Sequence, residues 1–187
     1  MSHAPAIPTA RAWLAAGLAQ IDRLPLRVVA GLALLAGGFA LGLALTAEYW
    51  GGLLPCSLCL LERWPYRIAM LVGAIALLAP RQLIAPLLWL IVLAMVVNTG
   101  LAVIHVGVEQ HLWQNPINEC AVPQLTGGTV MERLLQLSGR PPMPCDRATY
   151  LIPFLPVSMA AMNALYAAGT AALLALCLLP GVRRSWR

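Results

Sequence analysis

Five cysteines carry the thiol chemistry open to this chain: Cys56, Cys59, Cys120, Cys145 and Cys177. The first two form a CxxC, Cys56-Ser57-Leu58-Cys59. Attachment of a c-type haem is excluded, because no His follows Cys59. The four cysteines other than Cys177 could together hold zinc, but zinc modules usually present two CxxC-like knuckles. Cys120 and Cys145 stand 25 apart and form none. A purely structural disulfide fits poorly, since the small CxxC ring is strained and readily reduced, and such disulfides tend to be catalytic. Redox chemistry is therefore the leading reading, with no metal expected.

The neighbourhood of the motif sharpens it. Pro55 precedes it and helix-forming sequence follows. A helix amino terminus offers unpaired N–H groups and a positive dipole end, which favour a thiolate. Arg63 lies four residues after Cys59, one turn further on the same face, and Arg67 repeats the spacing. Arg67 suits snorkelling to lipid head groups. Arg63 suits a functional cation that holds a thiolate or the oxygen of a bound quinone. Cys177 stands apart in apolar sequence and reads as a small packing residue.

The elements that must position these residues follow from composition. The chain has 187 residues, 60% hydrophobic and 10% charged, against roughly 25% charged in an ordinary soluble domain. Mean hydropathy is +0.79. Too few charges exist to cover a soluble surface, which excludes a water-soluble enzyme, a disordered linker and a disulfide-only scaffold. All 12 basic residues are Arg, and they stand in small groups between apolar runs. That is the pattern of a topology signal and not of a nucleic-acid surface.

Four runs predict membrane spans over about 28–47, 62–79, 83–104 and 153–179. The second is the least clean and begins near Leu60. Pro153 and Pro156 near the start of the fourth are expected in a first helical turn. The first run is too long for the apolar part of a signal peptide, about 7–15 residues, and is expected to be retained. The expected fold is an all-α membrane protein: one domain over 1–187, a four-transmembrane-helix bundle. The side holding both termini carries seven Arg and one acid; the other carries five Arg and six acids. Both termini are therefore expected in the cytoplasm. Pro80-Arg81-Gln82 makes only a tight turn. Periplasmic loops are expected over about 48–61 and 105–152, and they contain Cys56, Cys59, Cys120 and Cys145. That side of a bacterial inner membrane is oxidising, so disulfides persist there.

A structureless loop as long as the second would be unusual. Thr129-Val130-Met131-Glu132 fits a capping box, followed by Leu134, Leu135 and Leu137 and stopped at Gly139. A short amphipathic helix on the membrane surface is expected there. Ala10 to Leu24 suggests a similar one on the cytoplasmic side. His111, Glu109 and Glu119 are expected to be solvated loop residues.

Pro55-Cys56-Ser57-Leu58-Cys59 with Arg63 and Tyr66 resembles the first periplasmic loop of the DsbB family of disulfide-forming membrane proteins. The loop with Cys120 and Cys145, His105-Val106-Gly107-Val108-Glu109, and Ser158-Met159-Ala160-Ala161-Met162-Asn163 look like the same family. The resemblance runs from about Leu26 to Leu179. Glu62 departs from it, since the family commonly has Gln before the Arg; an acid there is expected to weaken the pull of Arg63. The resemblance implies an enzyme that reoxidises a periplasmic dithiol carrier, DsbA-like, and passes the electrons to a membrane quinone, ubiquinone favoured over menaquinone. It implies that Cys120 is attacked by the carrier and that Cys145 resolves the mixed disulfide and hands electrons to Cys56. Cys59 is then the thiolate beside the quinone, and Arg63 and His105 contact it. Two other readings are an oxidoreductase of the vitamin K epoxide reductase type, whose CxxC usually lies late in the chain, and a non-catalytic membrane protein with structural disulfides or a metal site.

Overall fold

The computed structural model describes residues 24–114, 129–130, 144–151 and 156–179. Among them the long elements are four helices: α1 Leu26–Tyr49, α2 Ser57–Leu78, α3 Arg81–Glu109 and α4 Met159–Leu178. No strand occurs among the described residues. Three helices among the described residues are long and apolar enough to cross a membrane: α1, α3 and α4, with mean hydropathies of 2.3, 2.5 and 1.7. The remaining helix, α2, has 22 residues and carries Glu62, Arg63 and Arg67 in its first half.

Local chemistry sets the boundaries. Pro25 and Pro80 stand in extended conformation at the N-caps of α1 and α3, where a missing N–H costs nothing. Only Ala79 and Pro80 separate α2 from α3, the expected tight turn. The third helix runs further than its apolar run: it reaches Glu109, so His105 lies within a helix and not in a loop. It ends on a Schellman motif, in which the His111 N–H donates to the Val108 carbonyl and the Leu112 N–H to the Gly107 carbonyl. His111 accordingly takes a left-handed φ of 55°. The fourth helix starts later than expected. Residues 156–158 precede it, and Ser158 is the N-cap, its hydroxyl accepting from the Ala161 N–H at 3.2 Å. Of the expected surface helix only Thr129 and Val130 are described, a bend followed by a helical residue, both exposed. The rest of it lies outside the described residues, as does nearly all of Ala10 to Leu24.

The first helix packs mainly on α2, α2 on α3, and α3 on α4, while α1 meets α3 and α4 only lightly. Small residues let α1 and α2 approach closely. Ala30, Ala33 and Gly37 face Ala69, Gly73 and Ala76, all buried, as expected where helices associate without a hydrophobic drive from water. A Cβ on Gly37 would stand 2.9 Å from Met70 Cγ and 3.3 Å from the Tyr66 carbonyl. Gly37→Leu should therefore push α1 off α2, at a cost of about 1–3 kcal/mol for overpacking. Thermal unfolding in detergent should show the loss, and an unchanged midpoint would contradict this packing. The outer faces are greasy: Leu35, Phe39, Leu71, Leu93, Leu165 and Leu173 are all exposed. In water this would be an aggregation surface; in a bilayer it meets lipid.

Candidate functional site

One end of the bundle gathers the carboxyl ends of α1 and α3 and the amino ends of α2 and α4. Cys56 is the N-cap of α2, and its sulfur accepts from the Cys59 N–H at 3.2 Å. The helix therefore begins on the first sulfur of the motif and turns the second back towards it. Cys56 and Cys59 are both thiols, with their sulfurs 2.9 Å apart across a shared hydrogen bond. That bond holds the Cys56 thiol below its ordinary value; burial pushes it up, and the Cys59 and Leu58 N–H groups pull it down further. A depressed thiol ionises at lower pH. Alkylation of the reduced chain at Cys56 should accordingly follow a pH profile with its midpoint below that of an ordinary cysteine. Cys59→Ala should move the midpoint upward. Mass-resolved alkylation across pH would show it, and a profile indifferent to Cys59 would contradict the assignment.

Behind the sulfurs runs a buried polar chain. His105 Nε2 lies 3.4 Å from Cys56 Sγ, and His105 Nδ1 lies 2.8 Å from Glu62 Oε1. Asn163 Nδ2 donates to Glu62 Oε2 at 2.7 Å, and the Tyr66 hydroxyl donates to Asn163 Oδ1 at 2.6 Å. With its proton on Nδ1, the imidazole donates to the carboxylate and turns Nε2 towards the thiol. Arg63 Nη1 pairs with Glu48 Oε2 of α1 at 2.6 Å. Arg63 Nε is buried without a partner among the described residues. All four helices thus supply a member: Glu48, the α2 group, His105 and Asn163.

Beside this chain opens an apolar cavity of about 320 Å³ between α1, α2 and α4. It exists because α1 and α4 hardly touch. Its wall includes Phe39, Leu43, Met159 and Met162, with Cys59, Glu62, Arg63 and Asn163 among its polar members. His105 faces Cys56 and Glu62 instead and is not among the lining residues. Cys145 is buried in one cluster with Cys56, Leu58 and Val108, against which Cys59 packs. It is disulfide-bonded.

The structure therefore brings together Cys56, Cys59, Arg63, His105 and Cys145. Cys120 lies outside the described residues. Cys177 sits near the far end of α4, half-buried and packed against the main core, as a packing residue should. The two arginines divide by burial: Arg63 is 8% exposed, while Arg67 faces outward, its guanidinium 5.2 Å from the Trp64 ring centroid. Two expectations need correction. Glu62 does not compete for Arg63, which pairs with Glu48; it holds His105 and Asn163 instead. Glu109 is no solvated loop residue. It is buried at the end of α3, with Oε1 3.9 Å from His105 Nε2. The i, i+4 spacing of His105 and Glu109 was a signal for this. Glu48 and Asn163 had no local signal for their partners, 15 and 101 positions away.

The family model described as DsbB, disulfide bond formation protein DsbB, matches residues 26–177. No curated protein matches the chain, and no solved structure does.

Proposed function

Because the chain belongs to the DsbB family of disulfide bond formation proteins, we propose that it reoxidises a DsbA-like periplasmic dithiol carrier and passes the electrons to a membrane quinone. One observation carries this reading. The disulfide-bonded Cys145 is buried against Cys56, while Cys59, the other sulfur of the pair, stands on the wall of an apolar cavity. A two-step thiol relay that ends beside an apolar chamber fits such an arrangement.

The relay balances as two exchanges. A carrier thiolate attacks the sulfur of Cys120, a mixed disulfide forms, and Cys145 leaves as a thiolate. The second carrier thiol then releases the carrier as a disulfide. That step expels Cys120 as a thiolate. Cys145 then attacks Cys56 of a Cys56–Cys59 disulfide and Cys59 leaves as the thiolate; Cys120 attacks Cys145, restoring the Cys120–Cys145 disulfide and releasing Cys56 as the second thiolate. Each exchange moves two electrons, first from the carrier to the Cys120–Cys145 pair and then from that pair to Cys56–Cys59.

The cavity fits a quinone ring. Its walls are apolar, and the unpartnered Arg63 Nε offers a buried donor for an acceptor oxygen. When bound there, a quinone supplies the two-electron oxidation that returns the dithiol to a disulfide. Glu48 fixes Arg63 from the other side, so the guanidinium is held in one orientation. The sequence resemblance implies a quinone contact for His105. Its position supports a proton role at Cys56 Sγ, with Glu62 fixing the tautomer. In this reading α2 is the remaining membrane span, both loops face the periplasm, and the termini face the cytoplasm of a bacterial inner membrane.

Detergent-purified chain, mixed with reduced carrier and a soluble ubiquinone analogue, should consume quinone absorbance in step with carrier oxidation. No loss of quinone with an intact carrier would overturn the reading in favour of structural disulfides. Arg63→Gln should raise the apparent KM for quinone by about tenfold to a hundredfold, the worth of a charge-assisted hydrogen bond of about 1.5–3 kcal/mol. Carrier oxidation in a single turnover should be unaffected. An unchanged KM would remove Arg63 from the quinone site.

A further inference from the structure

The two thiols and the imidazole do more than sit in sequence along a relay. Cys56 Sγ, Cys59 Sγ and His105 Nε2 all lie within 4.8 Å of one another. Two sulfurs and an imidazole nitrogen are the donor set that zinc-class cations prefer. A metal-bound histidine almost always has its other ring nitrogen held by a carboxylate or carbonyl, which fixes the tautomer and raises the basicity of the ligand. Glu62 already does this at 2.8 Å from Nδ1. Near the remaining position stands Glu109, Oε1 3.9 Å from His105 Nε2, with a buried Oε2 that has no hydrogen-bond partner among the described residues.

We propose that the reduced Cys56–Cys59 pair and His105 form a binding site for a zinc-class divalent cation, present only in the dithiol state. Binding displaces the two thiol protons and leaves the cation held by two thiolates and a neutral imidazole, with no change of oxidation state. Closure of the Cys56–Cys59 disulfide removes both thiolates and abolishes the site. The two thiolates balance the charge of the dication, and Glu62 holds the imidazole with Nε2 free to bind it. On the thiol-oxidase reading, occupancy ties up both sulfurs and halts electron flow out of the reduced enzyme. The site itself stands on the geometry alone.

The test is titration of the full chain in detergent with Co²⁺, a spectroscopic stand-in for Zn²⁺, after reduction and anaerobic removal of reductant. A Cys120→Ser/Cys145→Ser background confines thiols to the site and Cys177. The expected result is one cobalt per chain with a thiolate-to-cobalt charge-transfer band, displaced by Zn²⁺ and absent once Cys56 and Cys59 are oxidised. His105→Ala should weaken binding at least as much as Glu62→Gln, for which about a 10- to 100-fold loss is expected from removing the carboxylate behind the histidine. Absence of the band in the reduced chain overturns the proposal. So does an affinity that neither variant changes, since that describes a bare dithiol. The titration needs neither quinone nor carrier. A chain that binds cobalt but reduces no quinone refutes the oxidase reading and leaves the site standing, and the converse result removes the site alone.

Discussion

Cys59→Ser chain should still trap the reduced carrier as a mixed disulfide, yet its quinone reduction should fall to the uncatalysed background. The two halves of this expectation come from different places in the molecule. In the proposed relay, capture of the carrier uses the second loop, where Cys145 is disulfide-bonded, and that loop is untouched by the substitution. Transfer onward needs a disulfide at Cys56 and a thiol on the cavity wall, and among the described cysteines only Cys59 lies on that wall. A serine at 59 leaves Cys56 unable to form the CxxC disulfide that accepts the electrons. Cys56 also sits behind the wall, 4% exposed. Non-reducing electrophoresis would show the carrier adduct, and quinone absorbance would show the loss. Retained quinone turnover would mean that the electrons leave from another sulfur. Cys177→Ala provides the contrast: it should keep full turnover, because Cys177 packs against the core near the opposite end of α4.

The second large effect is expected at Glu62. Its carboxylate takes the His105 ring nitrogen on one oxygen and the Asn163 amide on the other. Glu62→Ala leaves both donors buried and unmatched, at about 1–3 kcal/mol each. Glu62→Gln keeps one acceptor for two donors, because Asn163 Oδ1 is already engaged by Tyr66. It should therefore cost about the worth of one donor. Thermal unfolding in detergent should rank wild type above Gln and Gln above Ala. A double-mutant cycle with His105→Ala should be non-additive, since much of the Glu62→Ala penalty disappears once His105 is gone. Strict additivity would show that the pair does not interact in solution. Glu62 also raises the Cys56 thiol electrostatically, so the alkylation midpoint of Cys56 should move to lower pH in the Glu62→Ala chain.

The Arg63 result depends on a distinction that hydropathy could not make. Arg63 and Arg67 repeat one spacing and share a side of α2 in a helical projection, but one is buried against Glu48 and the other stacks outward over Trp64. The four-residue step drifts around a helix of 3.6 residues per turn, and Pro65 lies between them, where the missing N–H frees the ladder to adjust. Local spacing suggested a shared face; packing against α1 separated the two roles.

Much of this protein was readable locally. The CxxC at a helix start, the basic residue one turn on and the apolar runs are properties of neighbouring residues, and these the amino-acid sequence determined by itself. The turn at Pro80 also follows from local backbone chemistry, whereas the Ser158 cap was not read from the sequence, which placed the fourth span from about residue 153. Only the tertiary structure decided which polar residues meet. His105 faces a thiol and not the cavity, Glu62 serves His105 and not Arg63, and Glu109 is buried beside it. The reason is physical. These helices are apolar on nearly every side, so no amphipathic stripe records which face turns inward, and a helix's rotation is set by contacts with partners far along the chain. Tight packing of Ala and Gly between α1 and α2, and the loose fit of α1 against α4, fix that rotation and leave the cavity open beside Cys59.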